Sequence, residues 1–302
     1  KNIPKIIAMI INNEKPYTTS EKSARYTRMN DLTEAELERY EKWRIKFEEL
    51  IKKEYPILKD FHVKKLALEN ARYMISVFTP TTMVYTTNLC QINYIIEMLA
   101  KFMRESLERY PYHPFFEKLN KQIFEFIDIL KPFEVEGMNR QNKNVNLSLF
   151  ELEKVSEMIL EKSYFSDVYD TYYWASFAQL AQAQRHRTLH YRIFMNNLDP
   201  KNKDTKFYVP KLIKGTELEE EWIEDLLTLP EDCYPQATQV LVNERGLYEH
   251  FIMKCHERLC CQAQHEIMMQ TKDTFIKYKK YLEKHKPFHR MHKDFPDLNL
   301  EN

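Results

Sequence analysis

Residues 179–194 read QLAQAQRHRTLHYRIF. A run of Ala and Gln with helix-forming composition ends on Arg185, His186 and Arg187, so three cationic-capable groups gather at a helix C-terminal end. Two readings fit. Cations there complement the negative end of the helix dipole and face water. Alternatively, two guanidinium forks and an imidazole at one point suit a phosphate or pyrophosphate. The rest of the chain bears on the choice.

The chain has 302 residues, 43% of them hydrophobic, enough for one large domain or two ordinary ones around a real core. Lys and Arg balance Asp and Glu at 45 each, so no global field draws it to nucleic acid or a membrane, and neither is expected as a partner. Only Gly137, Gly215 and Gly246 occur, with no GxGxxG or GxxxxGK[ST] run. Backbone cradles for phosphate need glycines for close approach, so side chains must hold any phosphate here.

Cys90, Cys233, Cys255, Cys260 and Cys261 suit reduced, cytosolic use, and a cytoplasmic location is expected. Cys255, His256, Cys260, Cys261 and His265 crowd one span but lack paired CxxC spacing, so no metal site is expected. Apolar runs such as NYIIEMLAKFM meet charges well before the ~18 residues a membrane span requires. Neither a span nor a signal peptide is expected.

Along the chain, residues 33–53 read as a charged amphipathic helix opened by a Thr33–Glu36 capping pattern, followed by a helix over VKKLALENARYMI. TPTTMVYTT (79–87) is β-branched and reads as strand; a long helix from Asn88 to Tyr110 follows, with PYHP as its stop. Residues 128–147 gather Pro, Gly and Asn and are the linker candidate. Beyond it come the helix of the opening stretch, a polar loop (NNLDPKNKDTK), a helix over 217–227, an extended segment ending in TQVLV, and a long helix from about Arg245 to Leu282. The order of parts repeats at an offset of about 155 residues, a one-domain length, which suggests an old internal duplication.

TSEKSARYT brings Ser20, Glu21, Ser23 and Arg25 into one compact turn, where hydroxyls and arginine could grip phosphate or merely cap a helix. Asn243, Arg245 and His250 in VNERGLYEHF could face a ligand or solvate a helix start. No Ser-His-Asp, Cys-His or paired-carboxylate pattern stands out, so an enzyme built this way would need a cofactor for its hard chemistry.

These segments, in this order, resemble the flavin-dependent thymidylate synthases, the ThyX type. The family signature is Arg-His-Arg, then Glu-x-Ser-x-Arg-Tyr, then Ala-Arg-x-x-Leu-Pro, then Asn-x-Arg and a later Arg before Ala-Gln-x-Glu-Ile. The second half carries Gln182, Arg185-His186-Arg187, Leu229-Pro230, Asn243-Glu244-Arg245, Arg258 and Ala263-Gln264-His265-Glu266-Ile267. It lacks the Glu-x-Ser-x-Arg run after Arg187 and has Leu226 where an Arg belongs. The first half is complementary: Glu21-Lys22-Ser23-Ala24-Arg25-Tyr26 and Ala71-Arg72 are intact, but Asn13-Glu14-Lys15 replaces Arg-His-Arg and Cys90 replaces an Arg.

The resemblance implies a helix-rich α+β fold of two tandem ThyX-like units, each with a small mixed or antiparallel sheet: residues 1–135, a linker at 136–147, and 148–302 carrying Arg-His-Arg. It implies FAD-dependent methylation of dUMP to dTMP with methylenetetrahydrofolate and NADPH, in a homodimer that imitates the family's tetramer. Arg185, His186, Arg187, Asn243, Arg245, His250 and Glu21 would hold FAD. Gln182, Arg185, Glu21, Ser23, Ala24, Arg25 and Arg72 would hold dUMP, with Ser23 and Arg25 at its phosphate. Arg258 would pair with the uracil and favour its ionised form, as the catalytic residue. The competing expectations are one-carbon modification of another pyrimidine nucleotide, and an inactive nucleotide-binding or scaffold relative.

Overall fold

The structure is a computed structural model that describes residues 1–24, 27, 32–138, 149–153, 155–194, 206–229, 233–260 and 262–295. Arg25, Tyr26, Pro230, Cys261, the polar loop except its last residue, and all of the linker but 136–138 lie outside the described residues.

The chain opens with β1 (Ile3–Pro4), α1 (Lys5–Ile11) and β2 (Thr18–Glu21). Next come α2 (Glu34–Glu54), α3 (Asp60–Ala71), β3 (Pro80–Thr81), β4 (Met83–Thr86), α4 (Leu89–Arg109) and α5 (Pro114–Leu130). Past the linker lie β5 (Phe150–Glu151), β6 (Val168–Ser176), α6 (Phe177–Ala183), β7 (His190–Phe194), α7 (Glu217–Leu227), β8 (Gln239–Leu247), α8 (Tyr248–Arg258), α9 (His265–His285) and α10 (Met291–Asp294). The fold is α+β and helix-rich with small sheets, as expected. No helix among the described residues is long and apolar enough to cross a membrane.

The Thr33–Glu36 capping box forms, and Glu36 does more than cap. Its other oxygen accepts Ser76 N–H at 3.0 Å and Thr79 Oγ1 at 3.1 Å, fixing the turn that leads into β3. One face of α2, Tyr40, Trp43, Phe47 and Ile51, is buried at helical spacing. Trp43 packs edge-on against Trp222 of α7, centroids 4.8 Å apart, and donates its indole N–H to Asp225 at 2.8 Å. PYHP ends one helix and starts another: His113 accepts Phe115 N–H and Pro114 takes the first position of α5, where a missing N–H costs nothing.

β2 pairs antiparallel with β4, and β1 with β3. Beyond the linker one sheet runs β5-β7-β8-β6, with β6 and β7 antiparallel to β8 and β5 parallel to β7. Between α1 and α4 run β2, α2, α3, β3 and β4, and between α6 and α8 run β7, α7 and β8.

Two expectations are corrected. Asn243-Glu244-Arg245 does not open a helix: the strand begun at Gln239 continues, and β8 runs to Leu247 with Asn243 between Tyr172 and Arg192. The helix expected over 245–282 is two, because the backbone leaves helical geometry at Leu259 and re-enters after Gln264.

Both hydrophobic cores draw on residues from each side of the linker. One joins Ile6, Ile10, Phe78, Leu99 and Phe115 to Phe150, Tyr169, Val242 and Phe275; the other joins Trp43, Phe47 and Tyr73 to Ala178 and Trp222. Backbone bonds stitch the same sides together: Gln236 N–H to Ile75 O at 2.8 Å, Val77 N–H to Tyr234 O at 2.8 Å and Ala237 N–H to Tyr73 O at 2.9 Å.

Behind β8, Glu244 and Lys254 form a 2.6 Å ion pair whose side chains are both fully buried, and Glu244 also accepts Tyr169 and Tyr173 hydroxyls at 2.7 and 2.6 Å. Removing one partner strands a charge in the core. Lys254→Met is therefore expected to cost about 3–5 kcal/mol in urea denaturation, far more than substitution at an exposed lysine.

Candidate functional site

α6 is short, and the chain leaves it through successive turns: Arg185 N–H bonds Gln182 O and His186 N–H bonds Ala183 O. That geometry separates the three motif side chains. Arg185 and Arg187 are exposed, whereas His186 is 7% exposed and turned toward α8. Arg258 donates Nε–H to His186 Nε2 at 2.8 Å. Burial first, then Arg258 and Lys254, drive the imidazole pKa down to about 3, so it is neutral at pH 7 and can accept that hydrogen bond.

Two adjacent cavities lie against this turn, sharing Ala181 and Arg185. The narrower, about 20 Å³ and so with room for about one water, is lined by Lys5, Lys22, Ser23, Ala24, Arg72 and Arg185, together with Thr79, Thr81, Gln182 and Gln236. Ser23, Ala24, Arg72, Gln182 and Arg185, expected from distant motifs, are thus brought together. The larger, about 300 Å³, is lined by Asn12, Tyr17, Glu21 and Gln184 with Arg185 and Arg187, and by Thr19 and Ser20 of β2. Arg187 lies over the Tyr17 ring at 5.0 Å, and Tyr17 stacks on Tyr85.

Lys5, Lys22, Thr79, Thr81 and Gln236 escaped the sequence reading, since no motif or spacing connects them to Arg185. Lys5 starts α1 and is placed by backbone bonds, its own N–H to Thr79 O and the next to Val77 O. Its ammonium pairs with Glu21. Burial lowers its pKa, Glu21 opposes this, and Arg72 and Arg185 lower it further, so several cations converge on one partly enclosed space.

The guanidinium of Arg72 is fixed from behind. It donates to Ala178 O at 2.9 Å and to Gln264 Oε1, which also accepts from Gln182. Gln264 in turn donates to the Tyr73 hydroxyl, which donates to Glu266 at 2.6 Å. Glu266 also accepts Ser176 N–H at 2.9 Å and Ser176 Oγ at 2.7 Å; burial raises its pKa against these bonds. Because the amide N–H of Gln182 is committed to Gln264, its buried Oε1 has no hydrogen-bond partner among the described residues. It is a buried acceptor on a residue of the cavity wall, with no exposed surface of its own.

The remaining expected residues stand elsewhere. Asn243 is fully buried: its amide donates to Asp170 at 2.5 Å and to Thr171 O, while its oxygen accepts from Arg192. Arg245 pairs with Asp170 at 3.1 Å. His190, whose pKa is lowered by burial first and then by Lys15, Arg245 and His250, marks a second cationic cluster around these groups. Asn243, Arg245, His250, His186 and Arg258 are not among the described residues lining either cavity. Within one chain they stand apart from Arg185 and Arg187: β8 carries Asn243 and Arg245 into the sheet, and Arg258 hydrogen-bonds His186. Arg25 lies outside the described residues.

The cysteines are free thiols among the described residues, and burial pushes Cys255 up to about 12, which makes it a poor nucleophile.

His186 yields a pH test. An imidazole at about 3 when folded and about 6.5 when unfolded lets the unfolded chain bind more protons between those values. Its stabilising contribution is whole above about 6.5 and is lost as pH falls toward 3. His186→Gln should flatten the fall of the thermal midpoint between pH 6.5 and about 4 relative to wild type.

No protein-family model matches the chain, and the searches of curated proteins and of solved structures found no match.

Proposed function

We propose that this chain is a flavin-dependent thymidylate synthase whose site is assembled between its two halves. The observation that carries the reading is the meeting of Ser23, Ala24 and Arg72 from one half with Gln182 and Arg185 from the other in one cation-rich cavity. Each half holds the residues the other lacks.

The chemistry of that lining suits a pyrimidine nucleoside monophosphate, and the cavity, about 20 Å³, would have to open to admit one. Arg185 and Lys22 would neutralise the phosphate and Ser23 would donate to it, as side chains must when no glycine-rich loop is present. The free Oε1 of Gln182 would accept an imide N–H, a selective contact because a pyrimidine lacking that donor leaves the oxygen buried and unpaired. Arg72, held by Gln264 and Ala178, adds positive potential that favours negative charge developing on the ring.

FAD fits the adjoining cavity by its donor set. Arg185 and Arg187 would hold the diphosphate, and the buried Oδ1 of Asn12 has no partner among the described residues. Flavin, when bound, supplies the hydride chemistry that no side chain in the cavities can provide. Methylenetetrahydrofolate and NADPH are the co-substrates of this reading. Arg245 and His250, grouped around His190, would reach a flavin only from a second copy of the chain, which is the reason to propose a homodimer.

The purified protein should be yellow with a flavin spectrum, or become so on adding FAD. With dUMP, folate and NADPH it should release tritium from 5-labelled dUMP. Arg72→Ala and Arg185→Ala should each raise the KM for dUMP about ten- to hundredfold, as loss of a charged hydrogen bond of ~1.5–3 kcal/mol implies. A colourless protein that cannot take up FAD, or either variant with wild-type KM, would overturn the proposal.

A further inference from the structure

A third cavity, about 590 Å³, lies at the end of β6, between the first turns of α9 and the segment around 208–214, and shares no lining residue with the two described above. Its wall holds Trp174 and Tyr208. Of the three tryptophans, Trp43 and Trp222 are fully buried and Trp174 is only half-buried. The Lys206 ammonium lies over one face of its ring, 4.5 Å from the centroid, and adds a cation beside the cleft.

Lys211, Lys214 and Lys277 line the same cavity and have no ion-pair or hydrogen-bond partner among the described residues. The lining carboxylates among the described residues are Asp273 and Glu266, and Glu266 is already taken by Tyr73 and Ser176. In a chain of zero net charge, this is a local excess of positive charge. Gln179 adds a polar mark: it is 0% exposed, its Nε2 donates to Gln270 at 3.3 Å, and its Oε1 has no partner among the described residues.

An aromatic face, an unpaired buried acceptor and three unpaired ammonium groups in one cleft describe a ligand with a flat ring, a ring N–H and several negative charges. We infer that the cleft binds a nucleoside polyphosphate, its base stacked on Trp174 with an edge N–H to Gln179 Oε1 and its phosphates held by Lys211, Lys214 and Lys277. Lysines serve as point charges for phosphate oxygens, and stacking on Trp tolerates any base, so the triphosphate matters more than the base identity.

The inference does not depend on flavin or dUMP chemistry, and its test is binding alone. In the full chain, iodide should quench Trp174 and spare the two buried tryptophans. ATP and dTTP should each quench saturably, protect Trp174 from iodide, and bind more weakly as KCl rises. Adenosine and inorganic tripolyphosphate, each half of the ligand, should bind at least tenfold more weakly in equilibrium dialysis. The double variant K211Q/K214Q should lose at least tenfold in affinity with an unchanged thermal midpoint. Absence of saturable quenching and dialysis binding up to about 10 mM, a threshold beyond any specific site, would overturn the inference. So would equal affinity for adenosine, or unaltered binding by a folded K211Q/K214Q.

Discussion

The geometry of the candidate site depends on two buried side chains at the start of α9, Gln264 and Glu266. Between them they bond Arg72, Tyr73, Ser176 and Gln182, which come from both sides of the linker. Unmade hydrogen bonds at such depth cost the full desolvation of each group, so these segments have strong reason to keep one arrangement. The helix break at Leu259–Gln264 serves this network. Gln264 stands at the N-cap of α9 without capping it, because its side chain is directed into the core instead.

From that network the electrostatics of the cavities follow. Arg72 is aimed forward while Lys5 is brought in by the backbone bonds of α1, and Arg185 enters from the turn after α6. Lys5 registers this setting: burial first discourages it from holding its proton, Glu21 opposes that, and Arg72 and Arg185 add to it. A cluster of this kind is costly unless an anion lies close, and Glu21, paired with Lys5, is one. The alternation of exposed Arg185, buried His186 and exposed Arg187 separates two surface cations from an internal contact within three residues.

Neither side of the linker encloses its own core. Val77, Ile75 and Tyr73 exchange backbone bonds with Tyr234, Gln236 and Ala237, and the aromatic contact of Trp43 with Trp222 closes the second cluster. The cavity that gathers the motif fragments is lined from both sides of this seam, by Thr79 and Thr81 on one and Gln236 on the other. Packing across the seam and assembly of the site are therefore the same event.

Much of the local structure could be read from residues alone. Thr33 and Glu36 announce α2, Asn88 announces α4, the β-branched, apolar run Val240–Val242 reads as extended, and the α+β, helix-rich class follows from such local preferences. Motif fragments at Glu21–Ala24, Arg72, Gln182 and Arg185 were visible too, because residue types and short spacings survive in a sequence. Other features were not. The extension of β8 through Asn243 and Arg245 was set by pairing with β6 and β7, and the direction of His186 by Arg258 seventy-two residues away. The recruitment of Lys5 followed from backbone bonds to Val77 and Thr79. The sequence by itself determined which segments are helix or strand and which side chains can carry charge. Only the tertiary structure decided which of those charges share a cavity, because long-range backbone pairing and burial, not spacing along the chain, set where each side chain points.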